Sequence, residues 1–324
     1  MAAAAGVSVA TASRVLSKSG YKVLEDTRLK VEEAARMLGY VPNALARSLS
    51  NARSDVIGVV APVLRNPYYA AMVEGIDEAA KHHGLLMQLG LTDGDEATRE
   101  RVIDRLLAQQ VDGLIVCAGA DDHVVGRTPE TSPVPIVLIG TQANPGFPFI
   151  FTDNRAAGWA AGEHLWSFGH RHFAYLTAHD TWHDFRERGQ GLKEFLEGTS
   201  ERFEFQVTEG LLGEDDAYHA THELVKGTRP TALVASTDRH ALGAMAALAD
   251  AGIAVPSEMS VIGFDDYVTS SFLRPALTTM RMPAAEMGRE AVGVLTKLLG
   301  GKPVEQLIAM KATLIVRSST GPRL

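Results

Sequence analysis

The chain has 324 residues, enough for two or three cores, and its 46% apolar and 6% aromatic content is that of an ordinary globular protein. Its longest stretch without formal charge, residues 131–152, holds Pro133, Pro135, Pro145 and Pro148 and so is not a spanning helix. The lone cysteine, Cys117, excludes an internal disulfide framework and a thiolate metal cluster, and no basic residue precedes Arg14, which argues against a secretory signal and for the cytoplasm.

Charge is unevenly spread. Residues 1–54 carry +4 and the remainder −12, a small basic module on an acidic body. A nucleic-acid contact surface produces such a division, although a solvated helical face gives the same count.

In chain order, residues 2–5 form helix readily and stop at Gly6, after which Ser8 is placed to cap a helix running to Leu16. Helix, glycine turn, helix is the helix-turn-helix pattern. Ala12, Val15 and Leu16 fall on the face that packs inward, leaving Val9, Ala10, Ser13 and Arg14 outside. A third helix over residues 26–38 carries Leu29, Ala34, Ala35 and Leu38 at helical spacing, with a weakly signalled start at Leu24. Gly39 stops it, and Pro42 suits the first turn of a new helix reaching Leu49. A helix that short is marginal in water, and ordering its backbone costs on the order of 10 kcal/mol, so it should fold only against something else.

Beyond this joint, apolar runs at residues 56–60, 85–89, 113–117 and 136–139 alternate with helical segments at 69–82 and 97–110. A second set follows at 173–177, 232–235 and 260–264, with helices near 156–168, 184–196 and 240–251. Alternation of this kind implies parallel sheets, here in two doubly wound subdomains. Ligands bind beyond the carboxyl ends of such strands, and Asp153, Asp238 and Asp265 each follow an apolar run there. Asp153 and Asp238 read equally as caps of the helices that follow them; Asp265 is less easily explained that way.

The motifs Gly-Val-Ser-Val-Ala-Thr-Ala-Ser-Arg-Val-Leu (6–16), Thr27-Arg28-x-Lys30-Val31 and Leu38-Gly39-Tyr40-x-Pro42-Asn43 resemble the headpiece of the lactose/galactose repressor family. The resemblance continues through Ile57-Gly58-Val59, Asp112-Gly113-Leu114-Ile115, Gly169-His170-Arg171, residues 256–266 and Leu277-Thr278-Thr279, essentially the whole chain. It implies a helix-turn-helix headpiece (1–41), a hinge helix and linker (42–54) and a periplasmic-binding-protein-like α/β core (55–324). The chain is expected to cross between the subdomains more than once, giving one of about 55–151 with 284–311 and another of about 152–283 with 312–324.

Residue by residue, the resemblance assigns Val9, Ala10 and Arg14 to base reading in the major groove, with Ser8, Thr11 and Ser13 nearer phosphates. By the same resemblance Leu49 is expected to be the hinge wedge that enters the minor groove of a palindromic site, with Asn43 and Ala46 also assigned to DNA contact. Two copies of the wedge imply a homodimer, and no leucine heptads after Leu324 point to a tetramer. In the cleft it assigns Tyr68, Tyr69, Asp153, Arg188, Thr237, Asp238 and Asp265 to a small effector, a sugar or sugar derivative. Arg188 with Asp265 would suit adjacent hydroxyls. Where many sugar-responsive relatives place an aromatic ring this chain has Leu212, and Trp182 is the candidate substitute.

Enzyme readings find no constellation: Cys117 ends a buried-looking strand, His219-x-x-His222-Glu223 lacks zinc spacing, and Asp93-Gly94-Asp95 lacks the other calcium-loop ligands. No cofactor is expected. Met1 falls inside the family's first headpiece helix, so either the start lies upstream, which the intact remainder of the motif favours, or the headpiece is damaged. The reading is a ligand-controlled transcription regulator of the repressor type; the alternative is a sugar-binding protein with impaired DNA binding.

Overall fold

The structure is a computed structural model, and it describes residues 1–16, 23–40, 53–117, 132–140, 146–179 and 182–323. The expected hinge helix, with Asn43, Ala46 and Leu49, lies outside the described residues.

The chain begins with a single turn whose last carbonyls are closed by Gly6 N to Ala3 O and Val7 N to Ala2 O, with Gly6 left-handed at φ 64°. Helix α1 (Val9–Leu16) then starts from Ser8, whose Oγ accepts the Thr11 N–H at 3.1 Å. Helix α2 (Glu25–Met37) starts at Leu24 with no side-chain cap and ends in the same motif, Tyr40 N to Ala35 O and Gly39 N to Arg36 O. Its buried face differs from the expected one: Val31, Ala34 and Ala35 are buried, whereas Leu29 and Leu38 are exposed. Leu29 lies roughly 200° around the helix from Val31, and Leu38 is the C-cap residue just past the helix, where the chain turns away.

The core is built on two six-stranded sheets. The first has strands β1 (Val56–Ala61), β2 (Leu86–Leu91), β3 (Gly113–Cys117), β4 (Ile136–Ile139), β5 (Phe149–Thr152) and β11 (Leu307–Met310), all parallel, in the order β11-β5-β4-β3-β1-β2. Helices α3 (Pro67–His82) and α4 (Glu96–Ala108) alternate with its strands. The second has β6 (His172–Leu176), β7 (Glu204–Thr208), β8 (Ala232–Ala235), β9 (Ser260–Phe264), β10 (Thr278–Arg281) and β12 (Thr313–Ile315), in the order β12-β10-β9-β8-β6-β7. Only the β10–β12 pairing is antiparallel. Its helices are α5 (Asn154–Ser167), α6 (His183–Glu197), α7 (Glu214–Leu224) and α8 (Asp238–Asp250).

The chain passes between the sheets three times: from β5 into α5, from β10 into α9 (Ala284–Leu299), and from β11 into β12. Helix α9 buries Met287, Ala291, Val292 and Leu295 with Ile57, Val59 and Ile115 of the first sheet. Strands buried on both faces explain the near-continuous apolar runs, since helices cover each side of a parallel sheet. Cys117 is one of these core residues, and burial pushes its thiol up to about 12.

Three helix pairs of the core, α3 with α9, α5 with α6 and α7 with α8, close through glycine. Around α5 and α6 the contact is reciprocal: a Cβ on Gly158 would overlap the Arg188 carbonyl, and one on Gly191 the Arg155 carbonyl. Backbone-to-backbone approach of this kind fixes where α6 carries Arg188.

Candidate functional site

The carboxyl ends of both sheets face a cavity of about 420 Å³. Pro62 and Val63 after β1, Asn66, Tyr68 and Tyr69 at the start of α3, and Asp93 after β2 form one wall. Trp182, Asp184, Phe185 and Arg188 of the α6 region, Leu211 and Leu212, Thr237 and His240 at the start of α8, and Asp265 form the other.

Arg188 is only 3% exposed. Its Nε donates to Asn154 Oδ1 (2.8 Å) and its Nη1 to the Ser236 carbonyl (2.5 Å), leaving Nη2 without a protein acceptor among the described residues. The guanidinium lies 5.0 Å from the Phe185 ring centre and 4.9 Å from that of Phe264, apolar faces that hold a cation without neutralising it. Asn154 is the relay beneath it: its Nδ2 donates to Asp184 Oδ1 (2.8 Å) and to the Thr152 carbonyl (3.2 Å). No ion pair joins Arg188 to a carboxylate among the described residues, and Arg188 and Asp265 line the same cavity.

Asp265 lines the cavity from a strained backbone, φ 113°, followed by Asp266 at φ 61°. Burial raises its carboxyl to about 7; Arg188 pulls it down and Asp238 pushes it up. Asp184 is also raised, chiefly by burial. Asp266 beside them ties down Arg281 (2.7 Å) and Arg317 (2.5 Å), which flank the crossover segments.

Two of the expected contacts fall elsewhere. Asp153 does not line the cavity: its Oδ1 caps α5 by accepting the Ala156 N–H at 2.9 Å. Asp238 is neither cap nor wall. It is buried and accepts from Tyr267 N (3.0 Å), Ser270 Oγ (2.5 Å) and Thr279 Oγ1 (2.6 Å), which stitch the loop after β9 to β10 beneath the cavity. Burial still raises its carboxyl to about 6. Thr237 instead caps α8, accepting from His240 N at 3.2 Å, and lines the cavity.

Tyr68, Tyr69, Trp182, Arg188, Thr237 and Asp265 are thus brought together, and Leu212 joins them, 62% exposed. Trp182 stands 5.5 Å from the Phe185 ring. Sequence reading missed Asn154, Asp184 and Tyr267, whose Oη donates across the cleft to Asn66 Oδ1 at 2.9 Å. The position of Asn154, one residue after the expected contact Asp153, was the available signal.

At the other end of the molecule, α1 turns its apolar Ala12 inward at 1% exposure and presents Val9 (77%), Ala10, Ser13 and Arg14 to solvent. The Ser8 hydroxyl is engaged in the cap and with Thr11 Oγ1 at 2.9 Å. Among the described residues no helix is long and apolar enough to cross a membrane.

A helix-turn-helix carrying one outward-facing helix, joined to a two-lobed core with a charged cleft, defines a ligand-responsive DNA-binding regulator. The model of the bacterial regulatory proteins, lacI family, matches residues 1–43, and that of the periplasmic binding protein-like domain matches residues 163–320. The chain is 33% identical to the HTH-type transcriptional regulator GalR of Escherichia coli (strain K12), over 97% of this chain and 92% of that protein. It is 31% identical to the HTH-type transcriptional repressor PurR of Mannheimia succiniciproducens, over 97% and 96% respectively. The lac repressor dimer bound to operator and the anti-inducer ONPF superposes with a TM-score of 0.90 at 28% identity, covering 99% of this chain and 97% of that one. The transcriptional regulator CelR in complex with cellobiose gives 0.72 at 28% identity, covering 98% of each. The chain belongs to the LacI family of bacterial transcription regulators, and the headpiece match favours regulation over a binding protein that has lost DNA contact.

Proposed function

We propose that this regulator acts in the cytoplasm as a homodimeric repressor of a palindromic operator, and that a small carbohydrate in the cleft sets its operator affinity. The observation that carries this reading is the pairing of an exposed Val9-Ala10-Ser13-Arg14 face with a cleft whose Arg188 keeps one nitrogen unclaimed beside Asp265. Arg14 is the base-reading side chain, bidentate to guanine, and Val9 and Ala10 give apolar contacts such as thymine methyls. Ser8, Thr11 and Ser13 lie toward phosphates, and Asn43, Ala46 and Leu49 act from the hinge. In the cleft, Arg188 Nη2, Asp265 and Thr237 hydrogen-bond vicinal hydroxyls, Trp182 with Phe185 stacks on the ring, and Tyr68 and Tyr69 close from the first subdomain.

The cleft volume of about 420 Å³ suits a mono- or disaccharide. The test begins with a palindrome selected by the protein from a randomised DNA library, followed by band shifts across salt concentrations. Thermal-shift screening against sugars and sugar acids then supplies compounds for the same band shift. Salt-dependent binding to a palindrome, altered by a stabilising sugar, is expected. Failure to select any palindrome would falsify the regulator reading; selection with no sugar response removes the carbohydrate.

A further inference from the structure

Between the core and the headpiece, residues 53–55 are fastened with unusual completeness. Both carboxylate oxygens of Asp112, in the turn between α4 and β3, are taken by this segment: Oδ1 accepts Ser54 N (2.7 Å) and Ser54 Oγ (2.8 Å), and Oδ2 accepts Asp55 N (2.9 Å). The Asp112 N–H in turn donates to the Val56 carbonyl at 2.7 Å. Asp55 is held left-handed at φ 56°, a strained conformation for a non-glycine residue that persists only where neighbouring bonds impose it. Two residues earlier, Arg53 Nη2 donates at 2.7 Å to the carbonyl of Leu299, the last residue of α9. A cation belongs there, at the negative end of a helix.

The other end of α9 is the crossover from the second sheet, and α9 is locked to α3 where Gly75 meets the Ala285 carbonyl and Gly288 the Met72 carbonyl. Helix α3 carries Asn66, Tyr68 and Tyr69 into the cleft, with Tyr68 Oη 3.7 Å from Met287 Sδ of α9. The α3–α9 pair is therefore one stiff body with the cleft at one end and Arg53 at the other. Asp112 holds the same segment from the neighbouring strand turn.

We propose that Asp112 is the coupling anchor of this regulator: it fixes residues 54–55 to the first subdomain so that a displacement of that subdomain is delivered to the headpiece and not absorbed by slack in the chain. Asp112 is a positioning residue, touching neither DNA nor effector. The proposal rests on the regulator reading.

The test compares the full chain with Asp112→Ala and with an Arg53→Ala, Ser54→Ala double variant that leaves Asp112 in place, using the palindrome selected by the parent. Two readouts are taken: the rate of tryptic cleavage after residue 53 in the absence of DNA, for the parent and Asp112→Ala only, and operator affinity by band shift for all three. Asp112→Ala is expected to cleave there at least tenfold faster, with cleavage inside the core unchanged. Operator affinity is expected to fall at least fivefold in both variants, the lower end of ordinary coupling between sites. Unchanged cleavage in Asp112→Ala overturns the anchoring, and unchanged operator affinity in both variants overturns the coupling. Should Asp112→Ala lose its thermal transition, the double variant decides through operator affinity alone. A parent that selects no palindrome overturns the regulator reading and takes this proposal with it, a result distinct from a binding parent beside an equally binding variant.

Discussion

Asn154→Ala tests the architecture beneath the cleft. The amide is 6% exposed and joins two ionisable side chains, accepting from Arg188 Nε at 2.8 Å and donating to Asp184 Oδ1 at 2.8 Å, with a weaker donation to the Thr152 carbonyl. Hydrogen bonds to charged groups contribute about 1.5–3 kcal/mol each, so the deletion removes roughly 3–6 kcal/mol of gross interaction and strands a buried guanidinium. The cavity is adjacent, and water entering the vacated space recovers part of this. The expected loss is about 2–4 kcal/mol, read from urea unfolding monitored by tryptophan fluorescence. Effector affinity should fall as well, because Arg188 keeps a single hydrogen bond, to the Ser236 carbonyl, to orient it between the Phe185 and Phe264 rings. A variant within 0.5 kcal/mol of the parent would refute the relay, whatever it did to binding.

Four further outcomes are expected. Asp265→Asn should stabilise the protein in a pH-dependent way: the folded carboxyl sits near 7 against about 3.9 in the unfolded chain, so the parent loses stability as pH rises from about 4 to 7 and then levels off. Thermal melts at pH 4 should therefore coincide, and by pH 7 the variant should lead by about 1–2 kcal/mol, a bound of roughly 4 reduced by solvent in the cavity; a constant difference across the range would contradict the assignment. Gly191→Ala forces the new methyl onto the Arg155 carbonyl and should cost about 1–3 kcal/mol in calorimetry. Arg14→Ala should lose about 1–3 kcal/mol of operator affinity and relax preference at one base pair per half-site in a repeated selection. Trp182→Ala should weaken sugar binding at least tenfold in titration calorimetry; unchanged affinity would return the platform to Phe185 or Leu212.

Local chemistry was legible wherever one side chain or one period decides the outcome. Gly6 and Gly39 both take the left-handed conformation that ends a helix, Ser8 caps, and the inward face of α1 follows from the 3.6-residue period. The two-sheet architecture follows from apolar runs alternating with helices. What the sequence hid was the use of carboxylates. Asp153, Asp238 and Asp265 look alike as residues after strands, yet one caps a helix, one binds three donors beneath the cleft and one lines it. Their fates depend on partners such as Tyr267, Ser270 and Thr279, which are distant in sequence from at least two of them. Leu29 shows the same limit for apolar residues, since a short helix offers two plausible faces until its neighbour chooses one.

The triple passage between the sheets bears on how this protein is made. Strand β11 and helix α9 complete the first sheet, and β12 the second, so neither lobe is whole until the last fifth of the chain has been synthesised. The headpiece leaves the ribosome before the core, at an elongation rate of about 5–20 residues per second, and the core that governs it waits many seconds for its closing strands. A nascent or truncated chain therefore carries the headpiece without a completed cleft, and its unclosed sheet edges leave backbone groups unpaired. Late closure makes the regulated state a property of the finished chain alone.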